Sequence, residues 1–205
     1  MKILAGVDEV GRGSLVGPVY AAAVILNKSI NKKSLKDSKI LTKDKREVLD
    51  KYIKKNSIWA IGQASTKEIE KINILHASLL AMKRAILKLN KKPSLVLIDG
   101  NKLPNLKNYK LQYVIKGDQK IPSISAASII AKVSRDKFIK KLSKQFNNYG
   151  WDTNSGYGTK EHLRAIKKFG ITKHHRKTFS PISSFLKVSR VTTQHLVAKK
   201  KINTN

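Results

Sequence analysis

Residues 4–13 read Leu4-Ala5-Gly6-Val7-Asp8-Glu9-Val10-Gly11-Arg12-Gly13: an apolar run, two adjacent carboxylates, then a glycine-rich turn. That order predicts a buried strand over Lys2–Val10 that carries acids to its end. Pro18–Leu26, rich in Ala, Val, Ile and Leu, follows the Gly11-Arg12-Gly13 turn as a second strand. Further out, Thr42–Lys55 reads as a helix, with Thr42 as N-cap and Leu49 and Ile53 four apart. Ser57–Ala64 reads as a third strand, and Ser65-Thr66-Lys67-Glu68 matches a capping box. Leu75, Leu79, Met82, Ile86 and Leu89 recur at steps of four and three, which places them on one helix face. Ser94–Asp99 and Leu111–Lys116 are short strands, and Ser125–Phe146 is a long helix. Thr159–Phe169 is a shorter helix between an N-cap, Thr159, and a stop, Gly170, and Pro181 to about Lys187 forms one more. Three early strands followed by alternating strands and helices give an α/β fold, a central mixed β-sheet flanked by helices with a helical C-terminal part. Residues 1–187 are expected to form one domain and 188–205 a loose basic tail.

Composition narrows the chemistry. The 205 residues include 43 Lys+Arg against 13 Asp+Glu, a net charge of +30, which favours phosphate polyanions as partners. Of those cations 36 are Lys and 7 are Arg, so skewed genome composition accounts for part of the excess. From Lys160 onward there are 12 Lys/Arg and one acid, Glu161, making the C-terminal third the expected phosphate-facing surface. With 0 cysteines, disulfides, thiolate zinc sites and cysteine nucleophiles are excluded. The longest uncharged run, Leu15–Asn27, contains Gly17 and Pro18 and is too short to span a bilayer, so a cytoplasmic protein without membrane contact is expected.

In so acid-poor a chain, carboxylates in apolar settings stand out. Asp8 and Glu9 fit either a metal site or a structural salt bridge. Strand alternation would send them to opposite faces unless the strand ends or bulges there. Asp99 ends Leu95-Val96-Leu97-Ile98, and strand ends are where ligands gather in α/β sheets. Asp118, in Lys116-Gly117-Asp118, fits a third such acid or a turn aspartate. Four clustered carboxylates would repel one another unless divalent cations neutralised them, and Mg²⁺ or Mn²⁺ would favour these oxygen ligands. Two such ions can clamp an in-line phosphodiester displacement. Asp136 and Glu161 read as structural. Lys39 could reach a phosphate. Tyr157, between Gly156 and Gly158 ahead of a helix N-terminus, could stack on a sugar or base or serve as a surface anchor. In His174-His175-Arg176, the histidines read as structural and Arg176 as a phosphate contact.

These motifs resemble the ribonuclease HII family. The resemblance rests on Gly6-Val7-Asp8-Glu9-Val10-Gly11-Arg12-Gly13, Asp37-Ser38-Lys39, Asn73-Ile74-Leu75-His76-Ala77 and Ile98-Asp99-Gly100-Asn101. It continues through Lys116-Gly117-Asp118, Ser125 to Val133, Gly156-Tyr157-Gly158-Thr159 and His174-His175-Arg176, over roughly residues 3–187. It implies a ribonuclease H-like fold, two divalent cations (Mg²⁺ or Mn²⁺) on Asp8, Glu9, Asp99 and Asp118, and hydrolysis of RNA paired with DNA. The substrates implied are RNA–DNA hybrids and duplex DNA bearing single ribonucleotides, cut to 5′-phosphate and 3′-hydroxyl ends. Recognition of the ribose 2′-OH would fall to Gly11, Arg12, Gly13 and Tyr157, with Lys39, Thr159 and Arg176 completing the substrate contacts. The sister family, ribonuclease HIII, normally has an extra N-terminal domain and lacks the arginine-containing turn; the early first strand and Arg12 favour HII. Ser14 stands where that family usually has proline and Lys36 where asparagine is common, so a small change in turn rigidity or phosphate affinity is expected. A monomer is expected. The competing readings are a ribonuclease H-like nuclease without ribose selectivity and a basic RNA-binding protein without catalysis.

Overall fold

The computed structural model describes residues 3–31, Leu35 and residues 42–186. Lys36, Lys39 and the 188–205 tail lie outside the described residues. Five strands form one sheet: β1 (Leu4–Val10), β2 (Val19–Leu26), β3 (Ser57–Ala64), β4 (Leu95–Asp99) and β5 (Leu111–Val114). Their order is β3-β2-β1-β4-β5, which places the acid-bearing β1 at the centre. β1 runs antiparallel to β2 and parallel to β4, so the sheet is mixed, as the element order required.

Helices α1 (Lys43–Lys55), α2 (Thr66–Leu87), α3 (Gly117–Lys120), α4 (Pro122–Ser143), α5 (Trp151–Asn154) and α6 (Lys160–Phe169) complete the described elements, with a last helical turn over 182–186. Thr42 caps α1 through its side chain, and Ser65 with Glu68 closes both halves of the capping box on α2. Within α2 the chain breaks at Asn73, φ 62, whose Oδ1 accepts from the Leu75 and His76 amides and so caps the second segment. Helix α4 starts at Pro122, three residues before the sequence expectation, because proline suits the first helical position.

Strand alternation divides the core. Ala5, Val7, Ala21, Ala23 and Ile98 pack on α2, while Ala22 and Val24 pack on α1 and α4. Gly6 faces α4 at a distance only glycine permits: a Cβ there would lie 2.1 Å from the Ser123 carbonyl carbon. The small residues Ala126, Ala127 and Ala131 let α4 settle onto the sheet. A third cluster, including Leu15, Val16, Leu142, Trp151 and Ile166, joins the C-terminal helices to the segment after the Gly11–Gly13 turn.

Candidate active site

The parallel register pairs Val7 with Ile98, so the next residues, Asp8 and Asp99, stand side by side at the C-terminal ends of neighbouring strands. Val7 and Ile98 face α2, and alternation therefore turns both acids toward α4. Asp8 is 6% exposed. It accepts hydrogen bonds from the Ser128 side chain and, at 2.7 Å, from the Glu9 backbone N–H. Burial, then the charges of Glu9 and Asp99, push its pKa well above the ordinary carboxylate value. Asp99 accepts at Oδ1 from the Gly117 amide at 2.6 Å and from the Asp118 amide at 3.4 Å. Those amides open α3 after Lys116 turns the chain through φ 55, and they bring buried Asp118 beside Asp99.

Glu9 differs from the sequence condition. β1 neither ends nor bulges at Asp8; it stays paired through Val10↔Tyr20, and alternation sends Glu9 to the opposite face. Glu9 remains within electrostatic range of Asp99 and meets Arg12 Nη1 at 3.2 Å. Burial raises its pKa, and the Arg12 guanidinium offsets part of that rise. Among the described residues, no three carboxylate or imidazole side chains are already closed around an ion-sized gap. Asp99 is held by helix amides and Glu9 by Arg12.

The glycine turn lies beside this edge. Gly11, φ 89, is buried against Arg135, whose Nε would be 2.1 Å from an added Cβ. Arg12 and Gly13 are exposed, and a Cβ on Gly13 would sit 3.9 Å from Tyr157 Cε1, so turn and tyrosine are neighbours. The Ser14 hydroxyl and the Leu15 amide both donate to the Gly156 carbonyl at 2.9 Å, tying the turn to the tyrosine loop. Where a proline would stiffen this turn, Ser14 stiffens it by hydrogen bonding. The half-buried Tyr157 ring lies 5.7 Å from the Arg135 guanidinium. Thr159 caps α6, accepting from the His162 amide at 3.2 Å.

This arrangement has relatives. The sequence profile of the family described as Ribonuclease HII matches residues 5–182. The ribonuclease HII of Pelagibacter ubique (strain HTCC1062) is 90% identical over 186 residues, 91% of this chain and 100% of that protein. That of Coxiella burnetii (strain Dugway 5J108-111) is 51% identical, over 88% of this chain and 89% of its own. The chain belongs to the ribonuclease HII family. Like its family, it is a ribonuclease H-type endonuclease acting on RNA–DNA hybrids. The crystal structure of ribonuclease H2 from Pyrococcus horikoshii OT3 superposes with TM-score 0.76 at 27% identity, covering 91% of this chain and 98% of that one. Bst-RNase HIII in complex with Mn²⁺ shares the fold, at TM-score 0.72 and 19% identity, over 91% of this chain and 70% of its own. No helix among the described residues is long and apolar enough to cross a membrane.

In this member of the ribonuclease HII family Arg176 is not a surface phosphate contact, as the sequence reading had it. It is 0% exposed, and its Nε and Nη1 donate to the carbonyls of Gly17 and Arg12, both at 2.9 Å. The chain folds back so that residue 175 bridges Val16, and this carries the guanidinium beneath the turn. Burial and nearby Arg135 lower its pKa to about 9, which leaves it charged at neutral pH. His175 is structural, as expected. Its Nδ1 accepts from the Thr172 amide at 2.9 Å and its Nε2 lies 3.2 Å from His162 Nε2, which accepts from Trp151 Nε1 at 2.9 Å. The His162 proton is thereby assigned to Nδ1, donated at 2.8 Å to the Tyr157 carbonyl.

Burial, then His162, lowers the His175 pKa from 6.5 to about 4. A histidine kept neutral by folding contributes stability that is present above pH 6.5 and is lost as pH falls toward 4. The melting temperature should therefore fall through that window, and His175→Asn should flatten the slope in a calorimetric pH series. Equal slopes for the two proteins would contradict this assignment.

Sequence reasoning missed Ser128, Arg135 and His162 as site residues. Ser128 and Arg135 stand seven residues apart on α4, hence on one face, and that spacing was the available signal. His162 carried none beyond its place in the first turn of α6.

Proposed function

We propose that this chain cleaves the RNA strand of RNA–DNA hybrids, and duplex DNA at single embedded ribonucleotides, leaving 5′-phosphate and 3′-hydroxyl ends. The observation that carries the reading is the side-by-side placement of Asp8 and Asp99 on β1 and β4, next to the Gly11–Gly13 turn and Tyr157.

The donor set fits divalent cations. Asp8 and Asp118 are buried and Glu9 nearly so, with Glu9 paired to Arg12. Burial and the neighbouring charges of Glu9 and Asp99 disfavour the Asp8 carboxylate, which a cation would relieve, and all-oxygen donors favour Mg²⁺ or Mn²⁺. Asp8, Glu9, Asp99 and Asp118 would hold two such ions. Bound there, the pair would supply an acidified water and charge stabilisation for the departing 3′ oxygen. The protein's own part is positional. Ser128 and the Glu9 amide orient Asp8, the α3 amides orient Asp99, and Arg12 offsets part of the burial that disfavours the Glu9 charge. Gly11, Arg12, Gly13 and Tyr157 distinguish ribose from deoxyribose, and Thr159, with Lys39 from outside the described residues, adds phosphate contacts.

The test is incision of duplex DNA carrying one ribonucleotide, with Mg²⁺, with Mn²⁺ and with EDTA. Incision at the ribonucleotide only, and only with a divalent cation, is the expected result. Cation-dependent cleavage of all-DNA duplex at the same rate would instead favour a nuclease without ribose selectivity. No cleavage at all would favour a coating protein. Tyr157→Phe isolates the selectivity, because Arg12→Ala also disturbs Glu9. Losing one hydrogen bond to the sugar should lower kcat/KM at a single ribonucleotide by about 3- to 10-fold, and an unchanged value would remove Tyr157 from the sensor.

A further inference from the structure

The Gly11–Gly13 turn has an unused degree of freedom. A peptide that leads into glycine can rotate at small cost, since the glycine φ has no Cβ to resist the flip. Either orientation of the Arg12–Gly13 peptide is therefore open to the chain, and they differ in what they present to a ligand, an N–H or a carbonyl. In this structure the choice is made from below. Arg176 Nη1 donates to the Arg12 carbonyl at 2.9 Å, with Nε anchored on Gly17 O at 2.9 Å and the Arg176 amide on Leu15 O at 2.8 Å. The guanidinium is held at two points and the residue's own amide at a third, so with Nε on Gly17 O the guanidinium does not follow a flipped peptide. Carbonyl and N–H point oppositely across a trans peptide, so with the Arg12 carbonyl turned inward the Gly13 N–H turns outward. It emerges at the exposed tip of the turn, beside the Tyr157 ring.

We propose that Arg176 is a positioning residue for ribose selectivity, fixing the Arg12–Gly13 peptide so that the Gly13 N–H faces the substrate's 2′-hydroxyl. This rests on the reading of the turn and Tyr157 as the ribose sensor, and adds the residue that sets the sensor's polarity. A charged donor on a carbonyl is among the stronger neutral-acceptor hydrogen bonds, which suits it to hold one of two orientations. Arg135 supports the same surface, donating to Ser155 O and Val16 O at 3.1 Å, but it touches neither atom of the peptide that flips.

The experiment uses Arg176→Lys, which keeps the charge and loses the forked geometry. In Mg²⁺, KM is measured for duplex DNA with one ribonucleotide, and Ki for the matching all-DNA duplex as competitor. KM should rise about 3- to 10-fold while Ki stays within about twofold, so the Ki/KM selectivity falls by the same factor. Ile166→Val, a small lesion in the same packed cluster, should lower the melting temperature and leave Ki/KM unchanged. Unchanged Ki/KM in folded Arg176→Lys overturns the proposal and leaves the sensor reading intact. Equal KM and Ki in the unaltered protein would instead remove the sensor reading, and the proposal with it. Should Arg176→Lys fail to fold, the unaltered protein decides: its Gly13 amide resonance should shift more with the ribonucleotide duplex than with all-DNA, and equal shifts overturn the proposal.

Discussion

Asp8→Asn should lower divalent-cation-dependent cleavage of an RNA–DNA hybrid by about 10³-fold or more, since on the proposed reading it removes a charge that positions cations at the reacting phosphate. Asp99→Asn should do the same. The companion effects separate loss of chemistry from loss of structure. Asp8 is buried at 6% exposure with its pKa raised, so folding binds its proton more tightly than the unfolded chain does. A carboxyl of that kind stabilises the fold fully below its unfolded pKa, and that stability is lost as pH rises through the higher folded pKa. Without cations and above its unfolded pKa, the buried Asp8 carboxyl thus costs the fold stability, and Asp8→Asn should melt at the same temperature or higher. Added Mg²⁺ should raise the melting temperature of the unaltered protein and not that of Asp8→Asn. Hybrid binding should hold or tighten, because the variant has lost a negative charge facing phosphate. A variant that lost binding and folding along with cleavage would show Asp8 to be a structural residue.

Gly6→Ala should have the largest effect on stability. Its added methyl would meet the Ser123 carbonyl carbon at 2.1 Å and the Ile124 nitrogen at 2.3 Å, both backbone atoms of α4 that no rotamer change can move. Helix and central strand must part, at a cost of about 3 kcal/mol, or roughly 6–12 °C in melting temperature for a chain of this size. Because α4 also carries Ser128 to Asp8, whatever folds should cleave more slowly. A melting temperature within a degree or two of the unaltered protein would mean that α4 does not press on β1 as described.

Where structure depends on neighbours in the chain, the sequence was a sound guide. The strand Ser57–Ala64, the capping box at Ser65 and Glu68, and the caps at Thr42 and Thr159 are local chemistry, and each is found as expected. Asp8, Glu9 and Asp99 were visible because an acid-poor chain had placed them at the ends of apolar strands. Nothing local, however, says that β1 lies parallel to β4 in a register that sets Asp8 beside Asp99; that follows from the sheet order. The same limit explains Arg176. A surface arginine and a buried one are spelled alike, and only the return of residues 174–176 to Val16 and Gly17 provides the carbonyls that receive it. The α3 helix at Gly117–Lys120 lay beyond the expected strand Leu111–Lys116 and had no expectation besides a strand-end acid or turn aspartate at Asp118, because four residues are too few to show a period.

On the proposed reading, Asp8, Glu9, Asp99 and Asp118 together form a divalent-cation site at the C-terminal edge of β1 and β4. Crystals equilibrated with Mn²⁺ and measured for anomalous scattering locate such ions without reference to activity. Two peaks about 4 Å apart are expected, each within about 2.5 Å of carboxylate oxygens from this set, with Asp8 touching both. A map in which Mn²⁺ binds elsewhere, or in which Asp8 and Asp99 stay uncoordinated while the same crystals cut RNA, would contradict it.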